Sequence, residues 1–351
     1  MVGITNQSGP PGRGTETVVD TTVQVPTTTD AGTELVPAAV VTAFGRPPEV
    51  RPFPVPAPRA DTEVVVDVLA DGLHPRVRSQ ADGSHYTSSG SLPLVPGIDG
   101  VGRAPDGTLR YFVLPETTLG TMARRTVVDL RRSIVLPEGT DPVPVAAAMN
   151  PVLSSWVALR RRVAWRAGQS VLVLGATGNA GRVALGVARR LGAGTVIGAG
   201  RGPRLELLPG LGADRTVDLA GDPAEVADRI GAAAAEVDVV LDYLWGEPAA
   251  AAMAAIARRR VDEARPVRWV AIGSVAGSTA PVPSAALRAV ALEVVGSGQG
   301  SVPTCDLLAE LPEMAAEITA GTFRVDARPV PLSEVTTAWA DRGTDRIVVM
   351  P

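Results

Sequence analysis

The spacing of apolar residues changes character along the chain. In the middle, Val171, Leu172, Val173 and Leu174 form a short unbroken apolar run with β-branched members, which predicts a strand buried on both faces of a parallel sheet. Gly175, Gly178 and Gly181 follow it. Ala180, Val183, Ala184, Val187, Ala188 and Leu191 then recur at helical spacing, one apolar face on a helix opening near Asn179. Residues 195–199 return to a strand pattern, so 170–201 reads as strand, glycine turn, helix, strand.

Downstream, strands at 237–241, 268–272 and 292–295 alternate with helices near 223–234 and 248–260, which predicts a doubly wound parallel sheet. Upstream the pattern is different. Short strands with frequent Gly and Pro run through 37–44, 64–69, 92–97, 109–114 and 125–128, predicting a small barrel-like β domain. A proline-rich connection holding Pro47, Pro48, Pro52, Pro54, Pro56 and Pro58 separates the first two. Near the end, strand-like 324–330, a helix near 333–340 and a strand at 346–350 match the first part again, so the chain is expected to return to it. Residues 1–36, rich in Thr, Gly, Pro and acids, show no period and are expected to be a flexible tail, too poor in apolar surface to offset the entropy of ordering.

Composition narrows the chemistry. A length of 351 residues suits two domains, and a net charge of −4 leaves no basic excess, which argues against a nucleic-acid partner. All 33 basic residues are Arg, so lysine Schiff-base chemistry is absent. The single cysteine, Cys305, excludes an internal disulfide and a multi-cysteine zinc site. No apolar run of ~18 residues and no leader pattern is read; the expectation is a soluble cytoplasmic protein without a membrane partner.

The glycine turn carries the first functional candidate. Its glycines let the chain turn off the strand, admit a pyrophosphate to the backbone and pack the helix closely, while the helix N-terminus aims free N–H groups at phosphate. An NAD site normally has an acid about 20 residues on, at the end of the second strand. Here Gly200 stands there, followed by Arg201 and Arg204, two guanidiniums able to fork onto a 2′-phosphate and so to favour NADPH. The alternative is that both arginines are solvated surface residues. Gly175, Thr177, Gly178, Asn179, Ala180, Gly181, Gly200, Arg201 and Arg204 are the cofactor candidates. Ile272, Gly273 and Ser274, with Gly296 and Ser297, join them because they end strands on the carboxyl edge, where open α/β sheets bind ligands. Asp242 ends another strand, as a contact or as a cap for the next turn.

From about Val36 onward the chain resembles the medium-chain dehydrogenase/reductase superfamily, in its zinc-independent quinone oxidoreductase and enoyl reductase branch. The resemblance is carried by Leu92-Pro93-Leu94-Val95-Pro96-Gly97-Ile98-Asp99-Gly100-Val101-Gly102 and by the turn from Val171 to Gly181, with lesser matches at 237–242 and 345–349. It implies a GroES-like β-barrel domain over 37–151, a Rossmann domain over 152–300, a return to the first domain over 301–351, cofactor between the two and, in many members, a homodimer. Zinc-dependent relatives would carry Cys near 74, Gly-His-Glu at 97–99 and Cys near 150. Here stand His74, Ile98 with Asp99, and Asn150, too few ligands for zinc, so no metal site is expected.

Without a metal, the expected chemistry is hydride addition from NADPH to a quinone or an activated C=C of an enone, a small-molecule substrate whose negative charge delocalises onto oxygen. His74 stands where many zinc-free relatives carry Asn, and Tyr86 where enoyl reductases carry a catalytic or substrate-orienting tyrosine. Each is a candidate acid or carbonyl anchor, against a loop-bound histidine and a packed aromatic. Asn150, Ser154 and Ser155 fall where relatives place small polar residues beside the nicotinamide, against a helix-capping role. A ketone or iminium reductase using His74 as proton donor, and a non-catalytic NADPH-binding relative, are the alternative readings.

Overall fold

Strand pairing sorts the chain into a parallel sheet, a mixed sheet and a small hairpin. The computed structural model describes residues 34–351 apart from Ser89, Glu116, Arg342 and Thr344; the expected tail lies outside the described residues up to position 33. The first half runs through β1 (Leu35–Val40), β2 (Glu49–Pro54), β3 (Glu63–Gly72), α1 (Pro75–Ala81), β4 (Asp99–Arg103), β5 (Leu109–Val113), β6 (Arg125–Asp129), β7 (Ser133–Val135) and α2 (Pro142–Val157). Then come β8 (Ser170–Leu174), α3 (Asn179–Arg190), β9 (Thr195–Gly200), β10 (Arg215–Asp218), α4 (Pro223–Ala234), β11 (Val239–Asp242), α5 (Gly246–Arg259), β12 (Val267–Ala271), α6 (Ser284–Ala289) and β13 (Leu292–Gly296). The chain closes with α7 (Thr304–Thr319), β14 (Ala327–Pro331), α8 (Val335–Ala340) and β15 (Arg346–Met350).

The parallel sheet has the order β10-β9-β8-β11-β12-β13. Its strand order reverses between β8 and β11, which opens a ligand crevice at their carboxyl ends. Val171, Leu172, Val173 and Leu174 are all buried, as expected of a strand with neighbours on both sides and helices on both faces. The mixed sheet has the order β14-β15-β3-β4-β5-β7, with β6 also on β3. The C-terminal strands thus rejoin the first sheet, Val348 opposite Gly72 and Val349 opposite Asp71.

Helix α2 joins the two sheets into one core. Val145, Met149, Val152 and Trp156 are fully buried and share a cluster with Ala70, Val101 and Tyr111 of the mixed sheet and Val171 and Val173 of the parallel one; each such side chain contributes about 1.5–3 kcal/mol by leaving water. With the turn after it, Pro142–Arg162 is long and apolar enough to cross a membrane, contrary to the sequence expectation, but 67% of its apolar window is buried inside the fold.

Several elements depart from the pattern reading. The proline-rich connection contains β2, which among the described residues pairs only with β1; as an edge strand it tolerates Pro52 and Pro54, whose missing N–H groups no ladder needs. Residues 92–97 form isolated bridges, Val41 with Leu94 and Val95 with Leu119, in place of a strand. Helices α2 and α7 carry Pro151 and Pro312 in their interiors, residues that argue against a helix until packing overrides them.

Candidate active site and cofactor crevice

The glycine turn is shaped by close approach. Gly175 has φ +87°, a conformation costly for residues with a Cβ. A Cβ on Gly181 would overlap the carbonyl oxygen of Gly175, and one on Gly200 would overlap the Thr177 side chain. Gly178 differs, since a Cβ there would meet nothing nearer than Gly175 O at 3.4 Å. Its side faces open space beyond the start of α3, where the first intrahelical bond runs from Arg182 N to Gly178 O at 2.9 Å. The amides of Asn179, Ala180 and Gly181 precede that bond and form the open end of the helix. This cradle fits a dinucleotide pyrophosphate.

Arg204 lies against the turn. Its Nη1 donates to Thr177 O at 3.2 Å, while its Nη2 is buried without a partner. Burial, then repulsion from Arg182, lowers its pKa, so a bound anion would relieve both effects. Arg201 is exposed, and its backbone N–H reaches Thr177 Oγ1 at 3.4 Å. The Asn179 side chain turns away to accept from Arg182 Nη2 at 2.8 Å.

Across the crevice stands α2. Ser154 Oγ donates to Pro151 O at 2.7 Å and lies 2.9 Å from Tyr243 Oη. Asn150, one turn earlier, is half-buried. Both sit within the helix, so neither caps it. Tyr243 carries no sequence signal of its own, although it directly follows β11 at the point where strand order reverses; the sequence points instead to its neighbour Asp242. Asp242 proves to be a turn cap, its Oδ1 accepting from the amides of Leu244 at 2.8 Å and Trp245 at 2.9 Å and its Oδ2 from Trp269 Nε1 at 2.9 Å. Ile272 and Gly273 hang from Asp242 O through their amides at 2.8 and 3.1 Å, Ser274 is exposed, and Ser297 donates its amide to Ala271 O at 2.8 Å. Gly296 has open space where a Cβ would stand.

The mixed sheet holds a buried polar cluster. His74 Nε2 is 3.0 Å from Asp99 Oδ1, and Tyr111 donates to Asp99 Oδ2 at 2.8 Å. A carboxylate accepts, which places the imidazole proton on Nε2; Nδ1 is left buried without a partner. Burial lowers the His74 pKa, against the opposing pull of Asp99, so the ring is neutral near pH 7. Asp71 accepts from Thr121 Oγ1 at 2.5 Å, and burial pushes its carboxyl well above the usual range. Arg346, lowered by burial to about 10, donates to Leu73 O at 3.1 Å.

Tyr86 lies elsewhere. Its ring is 72% exposed and stacked on His85, and its hydroxyl donates to Gln299 O at 3.1 Å, just past β13. Arg76 also bonds the Gln299 side chain. The loop after α1 therefore bridges to the parallel sheet, with His74 facing the core and Tyr86 the surface.

No family model matches the chain. It is 32% identical over 360 residues to a probable NADPH-dependent quinone reductase of Emericella nidulans, covering 90% of this chain and 99% of that protein. Among solved structures, the quinone oxidoreductase of Thermus thermophilus, studied with its NADPH complex, matches with TM-score 0.70 and 29% identity over 90% of this chain and 100% of that one. Escherichia coli quinone oxidoreductase complexed with NADPH matches with TM-score 0.74 over 91% and 100%, at 19% identity that speaks for the fold alone. A Rossmann sheet and a GroES-like β lobe joined by one core, together with these likenesses, identify the chain as an oxidoreductase belonging to the quinone oxidoreductases of the medium-chain dehydrogenase/reductase superfamily.

Proposed function

We propose that the protein is an NADPH-dependent reductase that delivers hydride to a quinone or to the conjugated C=C of an enone, without a metal. The observation that carries the cofactor choice is Arg204, whose buried, unpartnered Nη2 sits beside the glycine turn while Gly200 occupies the place of the acid an NAD site would hold. Bound NADPH supplies the hydride. The chain's own residues bind and orient. Gly178 and the amides after it take the pyrophosphate, Arg204 with Arg201 takes the 2′-phosphate, and Tyr86 and Arg76 tie the segment around α1 to Gln299, just past β13.

Quinones and enones suit this site because it offers neutral hydrogen-bonding groups and no strong acid. Hydride addition to them leaves a delocalised oxyanion that water can protonate, whereas a simple ketone leaves a localised alkoxide. His74 and Asp99 are committed to each other, and Asp99 also to Tyr111, which supports the metal-free reading. It also argues against His74 as proton donor: its free nitrogen is an acceptor, and its role is to hold the loop entering α1. Asn150 and Ser154 face the nicotinamide end. We further propose a soluble cytoplasmic protein, since α2 spends its apolar surface in the core, and a homodimer through the edge of β13.

The test is NADPH oxidation, with NADH as control, against quinones, enones and simple ketones, with and without chelator. Quinone or enone turnover indifferent to chelator is expected. Arg204→Gln should raise the NADPH KM about 10- to 100-fold, the worth of a charge-assisted phosphate contact, and move the NADH KM by about 2-fold or less. An equal effect on both cofactors, or chelator-sensitive ketone turnover, would overturn the proposal.

A further inference from the structure

Tyr243 occupies the point where three walls of the crevice meet. It follows β11 at the reversal of strand order. A Cβ on Gly175 would touch its Cβ at 3.3 Å, and one on Gly273 would press its carbonyl oxygen at 2.6 Å, so its backbone is clamped between the glycine turn and the turn after β12. Its ring is buried, and its hydroxyl reaches Ser154 on α2. A side chain so held has little freedom to lose when a ligand arrives.

Counting protons tells what this hydroxyl can do. Ser154 has one, and it is donated to Pro151 O at 2.7 Å. The 2.9 Å contact between Ser154 Oγ and Tyr243 Oη must therefore use the tyrosine's proton. Ser155, the other hydroxyl on this turn of α2, donates to Val152 O at 3.3 Å. Tyr243 Oη thus gives its only proton to Ser154; the Ser155 hydroxyl also bonds it, and a phenol oxygen so placed still has a lone pair for one further donor. Burial pushes its pKa up to about 12, so it stays a phenol and does not become an anion. The geometry points to Tyr243 Oη as the acceptor for the carboxamide N–H of a nicotinamide bound in this crevice, with Ser154 as the positioning residue that fixes the acceptor. The inference rests on the cofactor reading proposed above. It also removes Tyr243 from the possible proton donors of the reaction.

The test uses binding, read by fluorescence titration of the purified full chain. Three probes are compared: NADPH, its 3-acetylpyridine analogue, which replaces the carboxamide with a methyl ketone lacking N–H, and adenosine 2′,5′-bisphosphate, which lacks the nicotinamide half. The parent protein is expected to bind NADPH about 5- to 10-fold more tightly than the analogue, the worth of one hydrogen bond in a dry site. In Tyr243→Phe that preference should fall to about 1-fold, with affinity for the bisphosphate unchanged, and Ser154→Ala should lower it part of the way. A Tyr243→Phe protein that keeps the preference, or loses bisphosphate affinity in parallel, would overturn the inference and leave the cofactor reading standing. Failure of the parent to bind NADPH at all would overturn both.

Discussion

Asp71 shows how one buried carboxyl couples protonation to stability. One oxygen accepts from Thr121 and the other has no partner; burial raises the pKa, the Thr121 bond partly opposes this, and Asp99 adds repulsion. His74 and Arg346 complete the polar surroundings, the neutral His74 on Asp99 and the charged Arg346 on the carbonyl of Leu73. The folded protein therefore holds a proton that the unfolded chain releases near the ordinary carboxyl pKa. A raised native pKa means stability that is full below the unfolded pKa and lost as pH rises toward the native one. Asp71→Asn can still accept from Thr121 and does not titrate. Its melting temperature minus that of the parent should become more positive between about pH 5 and pH 8, by about 2 °C or more. A flat or falling difference in thermal unfolding would mean that Asp71 is ionised in the fold.

At the scale of the element, the two glycines that open α3 have different duties. At Gly181 an added methyl meets the Gly175 carbonyl, backbone that cannot turn aside, so Gly181→Ala must push α3 off β8 and should cost about 1–3 kcal/mol of stability. At Gly178 the backbone is extended, φ −76°, and the space is open. Gly178→Ala should cost about 1 kcal/mol or less, the difference between Gly and Ala as an N-cap, yet weaken NADPH binding about 10-fold or more by filling the pyrophosphate's place. Denaturant unfolding beside cofactor titration separates the two. Comparable stability loss in both variants would show that the turn is built for packing alone.

For the whole molecule, the two edges of the parallel sheet are unlike. On β10 the residues are Arg215, Thr216, Val217 and Asp218, and charges of this kind protect an edge from pairing. On β13 they are Leu292, Glu293, Val294, Val295 and Gly296, with Val294 39% exposed. The homodimer proposed above would pair that edge with its copy. Val294→Asp is expected to shift sedimentation from dimer to monomer while each chain still binds NADPH. A variant that stays dimeric would place the interface elsewhere, and a monomeric parent would refute the dimer.

The amino-acid sequence by itself determined the βαβ unit, the doubly wound sheet after it and the glycine and arginine candidates, because those rest on short-range rules: the period of apolar residues, the space a Cβ needs, the charge beside a turn. Only the tertiary structure decided what depends on distant partners. Pro151 and Pro312 mark helix breaks locally, yet packing of α2 against α7 and the two sheets keeps both helices intact. Pro52 reads as a connection until β1 is found beside it. His74 reads as a candidate acid until Asp99, 25 positions on, claims its Nε2. Tyr243 gives no local signal, since its meaning lies in Ser154, 89 positions away. A hydrogen bond's direction depends on where every neighbouring proton goes, and that is settled only when the chain has folded.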